Sequence, residues 1–130
     1  MTTDILNYKV AVSTKDGIQS DVLEYINDLT KNDPEMARKA LLAIKNLPIK
    51  IYTNRDIKTI KQGKIKLNEL RVQSKSNICR FFYLIEEPNL IVFYGFTKKT
   101  QKTELRDINR GIIALEEYNE YQKYILFDRN

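Results

Sequence analysis

The chain has 130 residues, 30% of them charged, with 22 Lys/Arg against 17 Asp/Glu and a formal net charge of +5. That size suits one domain with an ordinary hydrophobic core, spanning residues 1–130. No apolar run reaches bilayer length and the start MTTDILNYKV has no signal-peptide apolar segment, so a cytoplasmic chain away from membranes is expected.

The absence of histidine removes the most common general base and the most common metal ligand. Ser-His-Asp and Cys-His catalysis are excluded, and neither a metal site nor a cofactor is expected with one cysteine.

In chain order, YKVAVST (residues 8–14) alternates as a short first strand, and Asp16-Gly17 breaks it. Ser20 is an N-cap for a helix running through about Thr30, with Val22, Leu23, Ile26 and Leu29 as its apolar stripe. Asp33 caps a second helix with Pro34 at its first position; Met36, Ala37, Ala40, Leu41, Ile44 and Leu47 share a face and Pro48 stops it. The two helices form a hairpin whose stripes must bury against a sheet.

Residues 49–66 read as an irregular basic connection, with a helical turn near 56–62 and a break at Gly63. Three antiparallel strands follow at 67–72, 78–85 and 90–97, rich in β-branched and aromatic residues and joined by polar turns of hairpin length. A last helix starts after Thr103 as N-cap, with Leu105, Ile108, Ile112 and Leu115 at helical spacing. Gly111 inside that helix predicts close backbone packing. Tyr118, Tyr121 and Tyr124 recur every third residue and are read first as core, with a partner-binding stripe as the alternative. The tail from Ile125 has no clear assignment. The expected fold is α+β: a twisted antiparallel sheet of three to four strands, an N-terminal helical hairpin and a C-terminal helix.

Side chains alternate faces along a strand, so a register can be set from the turns. Pairing Ile85 with Leu90 places Phe82 opposite Phe93 and Arg80 opposite Gly95, and extending back places Arg71 opposite Arg80. One face then carries Asn68, Leu70, Val72, Cys79, Phe81, Tyr83, Ile85, Leu90, Val92, Tyr94 and Phe96 as core. Cys79 on that face reads as a small hydrophobe rather than a nucleophile. The other face carries Glu69, Arg71, Arg80, Phe82, Phe93 and Gly95.

Two arginines across a ladder repel by about 1–3 kcal/mol. Either an anion sits between them, with Gly95 leaving room, or both are solvated and Glu69 neutralises one. Charge distribution points to a polyanion: residues 50–102 hold 12 Lys/Arg against 4 Asp/Glu, while the rest of the chain is mildly acidic.

ELR (Glu69–Arg71), CRFFY (Cys79–Tyr83) and GFTKKTQKT (Gly95–Thr103), in that order on strand, strand, strand, basic turn and helix, resemble the HigB-like, phage-derived branch of the RelE/ParE toxin superfamily. The resemblance covers roughly residues 17–121, and the basic-turn stretch is its specific part. It implies a RelE-like α+β toxin of a type II toxin–antitoxin system, an endoribonuclease that cuts messenger RNA in the ribosome and so inhibits translation. A cognate antitoxin, typically a helix-turn-helix protein, would neutralise it.

The site residues the resemblance implies are Arg71, Arg80, Lys98, Lys99 and Lys102. RNA is cleaved by its own 2′-hydroxyl attacking the adjacent phosphate, so orientation and charge stabilisation suffice. The two guanidinium groups would hold phosphate oxygens, and one turn lysine, its pKa lowered by neighbouring cations, would serve the leaving group or the base step. Glu69 is a candidate base or a counter-ion. Phe82 or Phe93 would stack a base or fill the core. Arg55, Lys58, Lys64 and Lys66 are candidate RNA contacts; Lys64 and Lys66 stand near where ribosome-dependent members carry basic residues and this chain has Leu67 and Glu69. The alternatives on the same fold are a ParE-like gyrase inhibitor and an inactive RNA-binding module.

Overall fold

Strand β4 (Ile78–Glu86) is buried at six consecutive positions, Ile78 to Tyr83, so both faces of the sheet are covered there. A computed structural model describes residues 7–75, 77–98 and 102–127. Around β4 lie β1 (Lys9–Thr14), β2 (Ile57–Gln62), β3 (Ile65–Gln73), β5 (Asn89–Lys98) and β6 (Lys123–Leu126), in the order β2-β3-β4-β5-β1-β6. The sheet is larger than the three to four strands expected, and mixed: β1 runs parallel to β5 and the other pairs are antiparallel.

Helices α1 (Asp21–Asn32) and α2 (Pro34–Lys45) form the expected hairpin. Ser20 Oγ accepts from the Leu23 amide, Asp33 Oδ1 from the Met36 amide, and Pro34 opens α2. Pro48 does not stop α2, which ends at Lys45; it lies in the first turn of a further short helix, α3 (Leu47–Thr53). Residues 57–62 are strand β2 and not a helical turn, joined to β3 through Gly63 in the left-handed region. Its apolar residues Ile57 and Ile60 are three apart and face opposite sides of the sheet, each half-buried in a different core. β2 is an edge strand, and its exposed lysines suit an edge that must not recruit another chain.

One core lies between the sheet and the α1–α2 hairpin, built from Val10, Val12, Leu70, Cys79, Phe81, Tyr83, Leu90 and Val92 with the helical stripes. Cys79 is buried in it, 3.1 Å from the Tyr25 hydroxyl, and burial pushes its thiol pKa up. The opposite core contains Leu67, Phe82, Phe93, Phe96 and Ile108 beneath α4 (Leu105–Tyr121). Tyr118 is buried with its hydroxyl donating to Glu86, whereas Tyr121 and Tyr124 are partly exposed. The unassigned tail forms part of β6, against β1. Among the described residues no helix is long and apolar enough to cross a membrane.

The register holds at Ile85–Leu90, Leu84–Ile91 and Arg71–Arg80, then departs from expectation at a β-bulge. Tyr83 faces Val92 while Phe82 faces Tyr94, so Phe93 is the extra residue. Beyond the bulge every β5 side chain changes face. Arg80 therefore opposes Phe96, and Tyr94 and Phe96 join the α4 side. Gly95 turns to the hairpin side, where a Cβ would stand 2.8 Å from Phe81 and Tyr25. The glycine makes room for aromatic rings and not for an anion beside Arg80.

Gly111 is the close approach its position in the helix implied: a Cβ there would lie 2.4 Å from the Phe82 ring. That ring is held among Phe93, Tyr94 and Phe96 and has little freedom to retreat. Gly111→Ala is expected to lower unfolding free energy by about 1 kcal/mol or more, overpacking outweighing the helix-propensity gain of about 1 kcal/mol. Urea denaturation measures this, and a raised midpoint would mean that the ring yields.

Candidate active site at the start of helix α4

Alternation along β3 sends Leu67, Glu69 and Arg71 to the α4 side, and β4 contributes Arg80 and Phe82. After the bulge β5 contributes Tyr94, Phe96 and Lys98. The side is apolar through its middle and charged at the end where α4 begins. Glu69 and Arg80 are both fully buried there.

One carboxylate organises this end. Glu69 Oε1 accepts from Arg71 Nε at 2.7 Å. Its Oε2 accepts from the Thr103 hydroxyl at 2.8 Å and lies 3.6 Å from Arg80 Nη1. Arg80 Nη1 in turn donates to Thr103 Oγ1. The like-charge opposition of Arg71 and Arg80 is thus met by an internal anion. Burial pulls the Arg80 pKa down and Glu69 opposes that shift; an arginine remains charged under any such pull.

A second ion cluster closes the same end. Lys98 Nζ lies 2.8 Å from Asp107 Oδ2 and 3.2 Å from Glu104 Oε2, with Asp107 buried in the first turn of α4. Carboxylates near a helix N-terminus are favoured by its dipole. The hydrogen bond that Lys98 donates to Asp107, with help from Glu104 and against the effect of burial, raises the Lys98 pKa. That is opposite to the lowered lysine expected, because the neighbours of Lys98 are anions rather than cations.

The structure brings Glu69, Arg71 and Arg80 together, with Lys98 in the second cluster at the same end, but not on an open face. Arg80 is covered by the start of α4; the Arg71 side chain is 24% exposed and that of Lys98 11%. Lys102 is exposed, and Lys99 lies outside the described residues. Glu69 is a buried counter-ion whose two oxygens are both engaged, an unsuitable position for a general base. Phe82 and Phe93 are core, covered by α4, and do not offer a stacking surface.

Lys58 is exposed on the arginine side, across from Glu69; Lys64 is in the β2–β3 turn; Arg55 is exposed between α3 and β2. Lys66 is exposed opposite Lys61 on the other side of the sheet. Thr103, Glu104 and Asp107 were not anticipated as parts of the site. Thr103 is not the helix cap, a position Glu104 occupies. Asp107 was legible in principle: Asp107, Gly111, Ala114 and Tyr118, spaced by four, three and four, form a stripe directed at the sheet.

Among the described residues no group of three or more His, Cys, Asp or Glu is arranged to hold a metal ion. What the arrangement offers is oriented donors rather than net charge: a partly exposed guanidinium and a protonated ammonium, each held by carboxylates that balance the local cations.

Residues 13–116 match the family model described as Phage derived protein Gp49-like (DUF891). The chain belongs to the Gp49-like family. It is a toxin-like family of the type II toxin–antitoxin kind. No curated protein and no solved structure matches this Gp49-like chain significantly.

Removing the internal anion should be costly. Glu69→Gln is expected to destabilise the Gp49-like fold by about 3–5 kcal/mol, since a buried guanidinium loses its counter-charge. The double change Glu69→Leu with Arg80→Met is expected to recover most of that loss, as read by urea denaturation. No recovery would mean that the ion cluster is not what the single change disturbs.

The Lys98 pair has the opposite pH sense to a carboxylate effect. Its raised pKa gives stability that is complete below the ordinary lysine value of 10.5 and fades as pH rises through the raised value. Melting temperatures of wild type and Lys98→Met should therefore differ at neutral pH and converge as pH rises through that raised value. A gap that persists undiminished would detach the stabilisation from the Lys98 charge.

Proposed function

We propose that this Gp49-like protein is the toxin of a type II toxin–antitoxin module and an endoribonuclease acting on messenger RNA at the ribosome, held in check by a cognate antitoxin, typically a helix-turn-helix protein. The observation that carries the reading is the pair of ion clusters at the start of α4, where buried Glu69 orients the partly exposed Arg71 and Asp107 keeps Lys98 protonated. A buried ion cluster is a poor source of stability compared with apolar packing, and the rest of this face is apolar. Its presence at the edge of the face points to a task other than folding.

In the proposed reaction the RNA 2′-hydroxyl gives its proton to solvent water and attacks the adjacent phosphate; the bond from phosphorus to the 5′-oxygen breaks, leaving a 2′,3′-cyclic phosphate and a 5′-oxygen that takes up a proton. Arg71 supports a non-bridging oxygen as charge builds on the phosphorane. Lys98, protonated at neutral pH, suits charge stabilisation or proton donation at the departing 5′-oxygen rather than the base step. Arg80 sits behind Arg71 and acts through Glu69, not on the phosphate directly. The exposed Lys58, with Arg55, contacts the RNA backbone beside that end of the sheet, and Lys64 contacts it farther off, at the β2–β3 turn.

One observation favours a second reading. Arg71, Arg80 and Lys98 each already have a carboxylate partner and Arg80 is closed over, which suits a non-cleaving protein of the same fold that binds RNA, or gyrase.

Expression of wild type and Arg71→Ala, with messenger 5′ ends mapped on ribosomes, separates these. Cuts in the wild type that fall about 100-fold or more in the variant are expected. Growth arrest with DNA damage and intact messenger would support a gyrase target, and harmless expression an inert binder.

A further inference from the structure

We propose that Thr103 is a positioning residue: its hydroxyl, set between Arg80 and Glu69, fixes the place of Lys102 and of the start of α4 relative to Arg71. For its catalytic consequence the proposal rests on the ribonuclease reading, with Lys102 acting at the phosphate as the family resemblance implies.

Three consecutive residues are placed in three different ways. Lys102 is exposed, Thr103 reaches inward, and Glu104 meets Lys98. The Thr103 hydroxyl donates to Glu69 Oε2 at 2.8 Å and accepts from Arg80 Nη1. A hydroxyl can do both at once, which neither a methyl group nor an ammonium can. Among the described residues just before α4 its side chain enters the arginine cluster, so it transmits the position of the buried pair to the exposed lysine beside it. The hydroxyl is not engaged in capping: the N-cap position belongs to Glu104, whose side chain makes no cap bond either. The approach of α4 to the sheet is held separately, by Gly111 on Phe82 and by Lys98 on Asp107. Losing the Thr103 hydroxyl should therefore loosen the segment without detaching the helix.

Thr103→Val keeps the shape and removes the hydrogen bonds, and Thr103→Ser keeps the hydroxyl. Two readouts are needed. The backbone order parameter of Lys102, from ¹⁵N relaxation, is expected to fall from about 0.85 to below about 0.6 in Thr103→Val and to return in Thr103→Ser. Single-turnover cleavage of ribosome-bound messenger by Thr103→Val is expected to fall about 100-fold at saturation, with messenger affinity changed less than about 2-fold, and to be rescued by serine.

A Lys102 that stays rigid in Thr103→Val overturns the positioning role whatever the cleavage rate. So does a cleavage rate equal to that of wild type. A wild type that cuts no RNA sinks the ribonuclease reading instead, and the relaxation data then decide alone whether Thr103 holds the segment. A circular-dichroism melt of each variant checks that the fold is intact; if Thr103→Val is unfolded, the comparison is made with Thr103→Ala on the same two readouts.

Discussion

The carboxylate of Glu69 is the constraint on which the rest of this end of the molecule depends. β3 and β4 set two arginines directly opposite each other on a side of the sheet that a helix covers. Without an anion between them that side could not close, because a buried guanidinium with no counter-charge costs several kcal/mol. With Glu69 in place, β3, β4 and the segment before α4 are tied at one point. The helix can then come down on Phe82, and Gly111 allows it to come close.

The basic character of the middle of the chain divides accordingly. Arg71, Arg80 and Lys98 are neutralised locally by Glu69, Asp107 and Glu104. The uncovered positive charge lies along the β2 edge and the β2–β3 turn, at Lys58, Lys61, Lys64 and Lys66. A polyanion would meet the edge first, through long-range attraction, and the oriented groups second. An edge rich in lysine also resists pairing with another strand, so composition alone does not separate the two roles.

Much of this was legible in the sequence. The capping residues Ser20 and Asp33, the three central strands and the opposition of Arg71 to Arg80 follow from local chemistry and turn length. The bulge does not: nothing in Phe93-Tyr94 marks one of them as surplus, and a single added residue reverses the faces of Gly95, Phe96 and Lys98. Strand β2 was obscured because Ile57 and Ile60 stand at helical spacing while serving two separate cores. Which side α4 covers was hidden too. Both faces carried enough apolar residues to receive it, and its buried stripe includes an aspartate and a glycine.

The parallel pairing of β1 with β5 also orders events in time. Lys9 is partnered by Asn89, so about 80 residues separate the strand from its neighbour. At a synthesis rate of about 5–20 residues per second, β1 waits on the order of several seconds for β5 to emerge, while the α1–α2 hairpin needs only local chain. The first strand made is thus among the last to be seated, and its other neighbour, β6, emerges later still. A nascent chain keeps Val10 and Val12 uncovered for that interval, a window open to chaperones.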